Sequence, residues 1–221
     1  MPFLGPGVQA GVLQNADYTA THTTFTVTAG SADFVLDFLS PVSPGNLIRQ
    51  SAPFSYLTVS SRGNNGATPN VQIYTDIDNT WAGQFHANIQ IGWGYTLTNK
   101  STSIFTLTPG GTATYSELND TAQWGTAVYC ARADRYDLTA TVGGVDQVRA
   151  AFAANGILSG PWEWQPPSVV AYSQDLGKLD EGEYSNVTFA IGYWRQPRSI
   201  TSAMLARLTL RRSARIHSAD V

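Results

Sequence analysis

This chain is poor in the residues that most often do chemistry. Its 221 residues hold one cysteine, Cys130, and three histidines, His22, His86 and His217. A lone cysteine excludes an internal disulfide, and a chain of this length has the bulk to build a core without one. Cys130 falls in the strand-like run Thr126 to Ala131, where a small buried hydrophobe is expected. A thiol nucleophile needs a partnered imidazole, and no histidine stands in a local motif with it. Charged side chains make up only 13%, about half the usual share. With a net charge of −3 and a pI near 5.5, the chain has no basic stripe of the kind nucleic acids require. No apolar run approaches the roughly 18 residues that cross a bilayer. Neither nucleic acid nor membrane is therefore expected as a partner. Met1 to Gly11 lacks the basic and apolar regions of a signal peptide.

What the chain has is alternation. Period-2 segments run over Tyr18 to Thr28, Ala32 to Leu39, Pro53 to Ser61, Val71 to Ile77, Gly94 to Thr98 and Ser103 to Leu107. They continue over Thr126 to Ala131, Leu138 to Val142, Val169 to Gln174 and Asn186 to Tyr193. In the second, Phe34, Leu36 and Phe38 face one way while Asp33, Val35 and Asp37 face the other, the mark of a sheet with one wet face. Phe54 to Val59 and Val71 to Thr75 flank a tight polar connection, Arg62-Gly63-Asn64-Asn65-Gly66. Many short strands separated by turn residues predict an all-β fold, a sandwich of two packed antiparallel sheets. One short interior helix is expected, with Val145, Val148, Ala151, Phe152 and Ile157 near helical spacing and Asn155-Gly156 as its stop. Pro161 to Pro167 (PWEWQPP) cannot continue a regular element and reads as a rigid connection laying Trp162 and Trp164 against a surface. Thr201 to Val221 reads as a basic amphipathic C-terminal helix carrying Arg207, Arg211, Arg212 and Arg215.

Few residues point to a site. Asp76 and Asp78 project from one face of a strand end, but no third or fourth acidic ligand is near, so no metal site is assigned and a polar strand exit is expected. Asp134 and Asp137 beside Arg132 and Arg135 read as a solvated turn with local ion pairs. Asp175, Asp180, Glu181 and Glu183 cluster around Gly177 and Gly182 in an expected loop. There is no G-x-S-x-G, S-x-x-K or H-E-x-x-H, and no glycine-rich turn stands between strand and helix as a phosphate cradle requires. No cofactor is assigned, and the catalytic residues stay unknown. Six tryptophans invite two readings, packing or a stacking platform for sugar rings, with Trp93, Trp162 and Trp164 as candidates for an interface or for sugar stacking. Three sequons, at Asn99, Asn119 and Asn186, are candidate glycosylation sites.

The wording of several segments is distinctive. FLSPVSPGNLIRQSAPFSYL followed by VQIYTDIDNTWAG, then AQWGTAVYCA, VRAAFAANGILSG and AYSQDLGKL…NVTFAIGYWRQP, resembles the fungal glutaminase A family, in the β-rich domain that precedes its catalytic domain. The resemblance covers Tyr18 to Ile200. It divides the chain into a lead-in (residues 1–17), a glutaminase A-like N-terminal β-sandwich of super-sandwich type (18–200) and a basic tail foreign to the family (201–221). It implies a secreted protein whose partner is a helical-toroid catalytic domain, normally in the same polypeptide, with an upstream signal segment lost before Met1. None of the family's catalytic residues maps onto this chain. The function expected is a non-catalytic domain packing on that toroid. The alternatives are a carbohydrate-binding module, or a domain contributing directly to glutamine hydrolysis.

Overall fold

The computed structural model describes residues 8–82, 91–98, 101–110, 116–118, 121–134, 137–160, 162–165 and 167–195. Strands β1 (Val12–Tyr18), β2 (His22–Ala29) and β3 (Ala32–Leu39) open the chain as a meander. Thr19 closes the first turn, its hydroxyl accepting from the N–H groups of Thr21 and His22. Gly30, at φ +59°, closes the second with the positive φ that a tight hairpin needs. A single helical turn, α1 (Leu47–Gln50), is capped by the Asn46 side chain and leads into β4 (Phe54–Gly63). Strand β5 (Asn70–Asp78) ends in a 3-10 turn at Asn79–Trp81, and β6 (Ile91–Thr98) pairs with β7 (Thr102–Pro109). After the two-residue strands β8 (Glu117–Leu118) and β9 (Thr121–Ala122) come β10 (Thr126–Arg132), β11 (Asp137–Gly144), helix α2 (Val145–Asn155), β12 (Ser168–Lys178) and β13 (Ser185–Trp194).

The strands form two main antiparallel sheets, as the alternation predicts. One has eight strands in the order β1-β2-β3-β4-β13-β10-β7-β6, and the other has three in the order β11-β12-β5. The narrow sheet covers only the middle of the broad one. This is visible along one row of paired residues on the inward face: Tyr18, Thr23, Phe38, Leu57, Phe189, Ala131, Ser103 and Leu97. The row begins at Tyr18, 84% exposed, is buried at Phe189, Ala131 and Ser103, and ends half-exposed at Leu97. Beneath the narrow sheet Val59, Phe105, Leu107, Tyr129 and Phe189 meet Val71, Ile73, Val142, Val170 and Tyr172 in one cluster. Each such side chain contributes about 1.5–3 kcal/mol by burial.

Polar pins cross the gap between the sheets. The Ser103 hydroxyl donates to the Tyr172 phenol at 3.1 Å, the Tyr172 phenol donates to the Tyr129 carbonyl at 3.3 Å, and Thr75 hydrogen-bonds the Tyr129 phenol. Burial holds both phenols well above their ordinary pKa, so they stay neutral donors. On the far side of the narrow sheet, α2 lays Val148 and Phe152 against Val169, Ala171 and Leu158. It stops where the sequence reading stops it: Gly156 adopts φ +70° and its N–H reaches the Phe152 carbonyl at 2.7 Å.

Two features go beyond the sequence reading. A strand begins at Val12, inside the stretch read as lead-in; its seven residues are all exposed and carry no apolar alternation, so only the backbone ladder to β2 marks it. And β4 and β5 do not pair, because the polar connection between them arches from one sheet to the other. That arch is fastened by the Gly63 N–H on the Asp180 carbonyl and the Gly66 N–H on the Glu181 carboxylate, which ties the acidic loop to it. The expected C-terminal helix lies outside the described residues.

Asp33 sits beside the same arch. Its carboxylate accepts from Asn64 (3.1 Å) and Thr28 (2.9 Å), with Arg62 at 3.6 Å, and these three hold its pKa below the ordinary 3.8. The charged form is favoured in the folded state, so the stabilisation is complete above about pH 4 and is lost as the pH falls through the depressed value. The urea midpoint of the wild type should therefore drop further between neutral pH and about pH 3 than that of Asp33→Asn. Parallel pH profiles for the two proteins would remove Asp33 from the account.

Candidate functional site

The clearest aromatic constellation lies at the β6 edge. Inward-facing Trp93 and Tyr95 of β6, beyond the Phe105 of β7 that Tyr172 of the narrow sheet already touches, would stand open there. Trp162, delivered by the proline-flanked connection, covers them instead. Its ring stacks on Trp93 (centroids 6.2 Å, 29°), meets Tyr95 edge-on at 4.8 Å and lies 6.0 Å from Phe105. Phe105 hands the contact on to Tyr172, and Tyr172 to Tyr129, each at 5.0 Å, so the cluster runs without a break into the core. Trp162 remains 44% exposed, whereas Trp164, two residues on, packs partly buried against the core. The structure thus brings Trp93 and Trp162 together. Tyr95 and Phe105, which the sequence reading did not single out, complete the group; their alternation with Trp93 across the β6–β7 hairpin was the available signal.

A second surface lies at the opposite wing. Leu13 and Tyr18 of β1 and Phe38 of β3 are on the inward face beyond the cover of the narrow sheet, and all are exposed. Phe38 meets Phe25 edge-on at 6.1 Å. At the same end of the sheet the β3–β4 connection adds Val42, Leu47 (78% exposed) and Ile48. Single exposed apolar residues are ordinary, whereas several at one edge of a sheet are what an interaction surface presents.

Several titratable groups are engaged in structure. Asp76 is held by Arg149 of α2 through Nε at 2.7 Å and Nη2 at 3.1 Å, and by the Tyr74 phenol at 2.7 Å. Asp78 caps the following turn on Thr80, and Arg132 pairs with Asp134 at 2.6 Å. Asp175 accepts from the Gly177 N–H. His22 contacts Asp37 through Nδ1 at 2.8 Å, a partner the sequence did not reveal. That is the base-orienting half of a triad, but the neighbouring Thr24 hydroxyl is directed to Asp37. Cys130 lies partly buried on β10, and burial pushes its thiol up to about 11, away from thiolate chemistry. Among the described residues no group of three or more His, Cys, Asp or Glu side chains is arranged to hold a metal ion, and no helix is long and apolar enough to cross a membrane. Asn186 is exposed on β13. Asn99, Asn119, His86, His217 and the basic tail lie outside the described residues.

A family described as a domain of unknown function (DUF5127) matches residues 21–203. Glutaminase A of Aspergillus oryzae is 33% identical over 187 residues, 80% of this chain and 26% of that protein. A protein of Arthroderma benhamiae named as a probable glutaminase is 27% identical over 186 residues, 76% of this chain and 20% of that one. The chain thus spans about a quarter or less of the curated relatives it matches. Among solved structures, heparan sulfate lyase HepC from Pedobacter heparinus covers 87% of this chain, with 23% of its own length matched, at a TM-score of 0.41 and 10% identity.

Proposed function

Because the chain belongs to the DUF5127 family and is similar along most of its length to a stretch of fungal glutaminase A, we propose that it is a non-catalytic β-sandwich domain of a secreted glutaminase A-like protein. It packs against a helical catalytic domain and works as that domain's scaffold. The observation that carries this reading is the uncovered wing, where Leu13, Tyr18 and Phe38 face inward with nothing from the narrow sheet upon them. A catalytic domain of the same protein would complete the sandwich there. The titratable side chains support the reading from the other direction. Amide hydrolysis needs a nucleophile or activated water, an acid for the leaving ammonia and oxyanion donors, and the carboxylates described above are committed to Arg149, Thr80, Asn64 and His22.

A sugar-binding module is the weaker reading. Trp93 lies under Trp162, and Trp164 is turned to the core, so of the three candidate tryptophans only Trp162 stands exposed.

The docking reading is tested with a chimaera in which this chain replaces the matching segment of Aspergillus oryzae glutaminase A. Tyr18→Asp with Leu47→Asp should leave the isolated chain's stability within about 0.5 kcal/mol, since the two side chains are 84% and 78% exposed. The same pair should lower the chimaera's thermal midpoint and its release of ammonia from L-glutamine. An unaffected chimaera would remove the wing from the interface. Ammonia release by the isolated chain, above a heat-inactivated control, would overturn the non-catalytic assignment.

A further inference from the structure

We propose that Asn186 carries an N-linked glycan, which makes the outward side of the eight-stranded sheet the permanently solvated face of the domain. The proposal rests on the reading of the chain as secreted. The sequon is Asn186-Val187-Thr188 in β13, a central strand paired to β4 and β10. Strand alternation decides which side its residues take. Val187 and Phe189 are buried in the core, so Asn186 and Thr188 project outward, and Asn186 is exposed. Its register neighbours are small, while the stacked Arg62 and Tyr184 side chains stand to one side. Ser60 is its register partner on β4, with Thr58 opposite Thr188 and Val35 beyond Ser60 on β3. The Thr58 and Thr188 hydroxyls are bonded to each other at 3.0 Å, a low, polar surface over which a sugar can lie. Helix α2, the one described helix longer than a single turn, packs on the narrow sheet and leaves this side clear. A shift of one residue would have put the acceptor among Val59, Val187 and Phe189, where no glycan fits.

The chemistry is a group transfer from a lipid-linked pyrophosphoryl oligosaccharide. The Asn186 side-chain amide nitrogen attacks the anomeric carbon. A C–N bond forms as the C–O bond to pyrophosphate breaks, the amide nitrogen loses one proton to a base, and the lipid pyrophosphate departs. Transfer takes place on the extended chain, and the folded structure must then tolerate the product, which this face does. A glycan here also excludes a catalytic partner from the outward side and leaves the inward wing for docking.

The test uses the full chain secreted from a yeast host behind a leader peptide. Trypsin releases Leu179–Arg195, which contains Asn186 and neither of the other two sequons. Most of this peptide should carry an N-acetylglucosamine-based mass, and peptide N-glycosidase in 18O-water should convert Asn186 to labelled aspartate. Asn186→Gln should abolish both signals while the secreted protein keeps its circular dichroism. Recovery of the peptide wholly unmodified, from protein whose leader has been removed, would overturn the proposal. The peptide mass does not depend on docking or on glutamine hydrolysis, so failure of the scaffold reading would leave this result standing.

Discussion

Arg149→Ala should destabilise the domain by about 3–5 kcal/mol, the cost of leaving a buried charge without its partner. The Asp76 side chain is only 4% exposed, and Arg149 engages both of its oxygens. The Asp76 carboxylate also accepts from the Tyr74 phenol, whose pKa is raised by burial and then by the carboxylate beside it, so the phenol stays protonated. Removing the guanidinium leaves that neutral donor as the main remaining partner of the charge. The pair also fastens α2 to β5, so its loss should loosen Val148 and Phe152 from the sheet. A compensating double variant, Asp76→Leu with Arg149→Met, should recover most of the stability, because an apolar pair of similar volume replaces a buried ion pair at little cost. Urea midpoints for the three proteins decide the matter. A loss below about 1 kcal/mol in Arg149→Ala would mean that water reaches the carboxylate and that the pair behaves as a surface bridge.

The second large effect is expected at Tyr172, fully buried where the two sheets meet. Its ring touches Phe105 and Tyr129, each at 5.0 Å, and so joins the Trp162 cluster to the main core. Tyr172→Ala should cost about 3–5 kcal/mol through lost burial and the cavity left behind. Tyr172→Phe keeps the ring but removes the acceptor of the Ser103 hydroxyl, itself fully buried. An unmet buried donor costs about 1–3 kcal/mol. Adding Ser103→Ala to Tyr172→Phe should therefore return part of that loss. If Tyr172→Phe were as damaging as Tyr172→Ala, the hydroxyl network and not the ring would be holding the sheets together.

These two sites also show what the sequence could and could not disclose. Strands such as β3 and β12 were legible because their apolar residues alternate or run continuously, as burial on one face or two demands. Helix α2 was legible through its spacing and the Asn155-Gly156 stop. Strand β1 was not, since Val12–Tyr18 is held by its neighbour's backbone and buries nothing. Nor was the sheet membership of β5, which follows β4 in the chain yet pairs with β12. Periodicity states that a strand has a buried face and is silent about which strand lies beside it. The Arg149–Asp76 pair joins residues 73 apart, and the Trp93–Trp162 stack joins two distant segments. Only the assembled topology brings them together. Within PWEWQPP, the proline chemistry spoke against a regular element, and residues 162–165 have none, but which tryptophan would turn inward depended on the surface waiting beneath it.

The pairing of β4 with β13 has a consequence for how the chain comes to be folded. The Thr58–Thr188 contact spans 130 positions, and it lies at the seam between the opening meander and the remainder of the broad sheet. During synthesis at about 5–20 residues per second, β4 emerges roughly 6–26 s before its partner. For that interval Phe54–Gly63 presents an open edge with Leu57 and Val59 upon it, the kind of edge that recruits other chains. High contact order of this type also slows closure after release. The seam is therefore where early termination does most harm: a chain stopped before Ser185 keeps a complete four-stranded meander whose last strand has no natural neighbour, and aggregation through that strand is its expected fate.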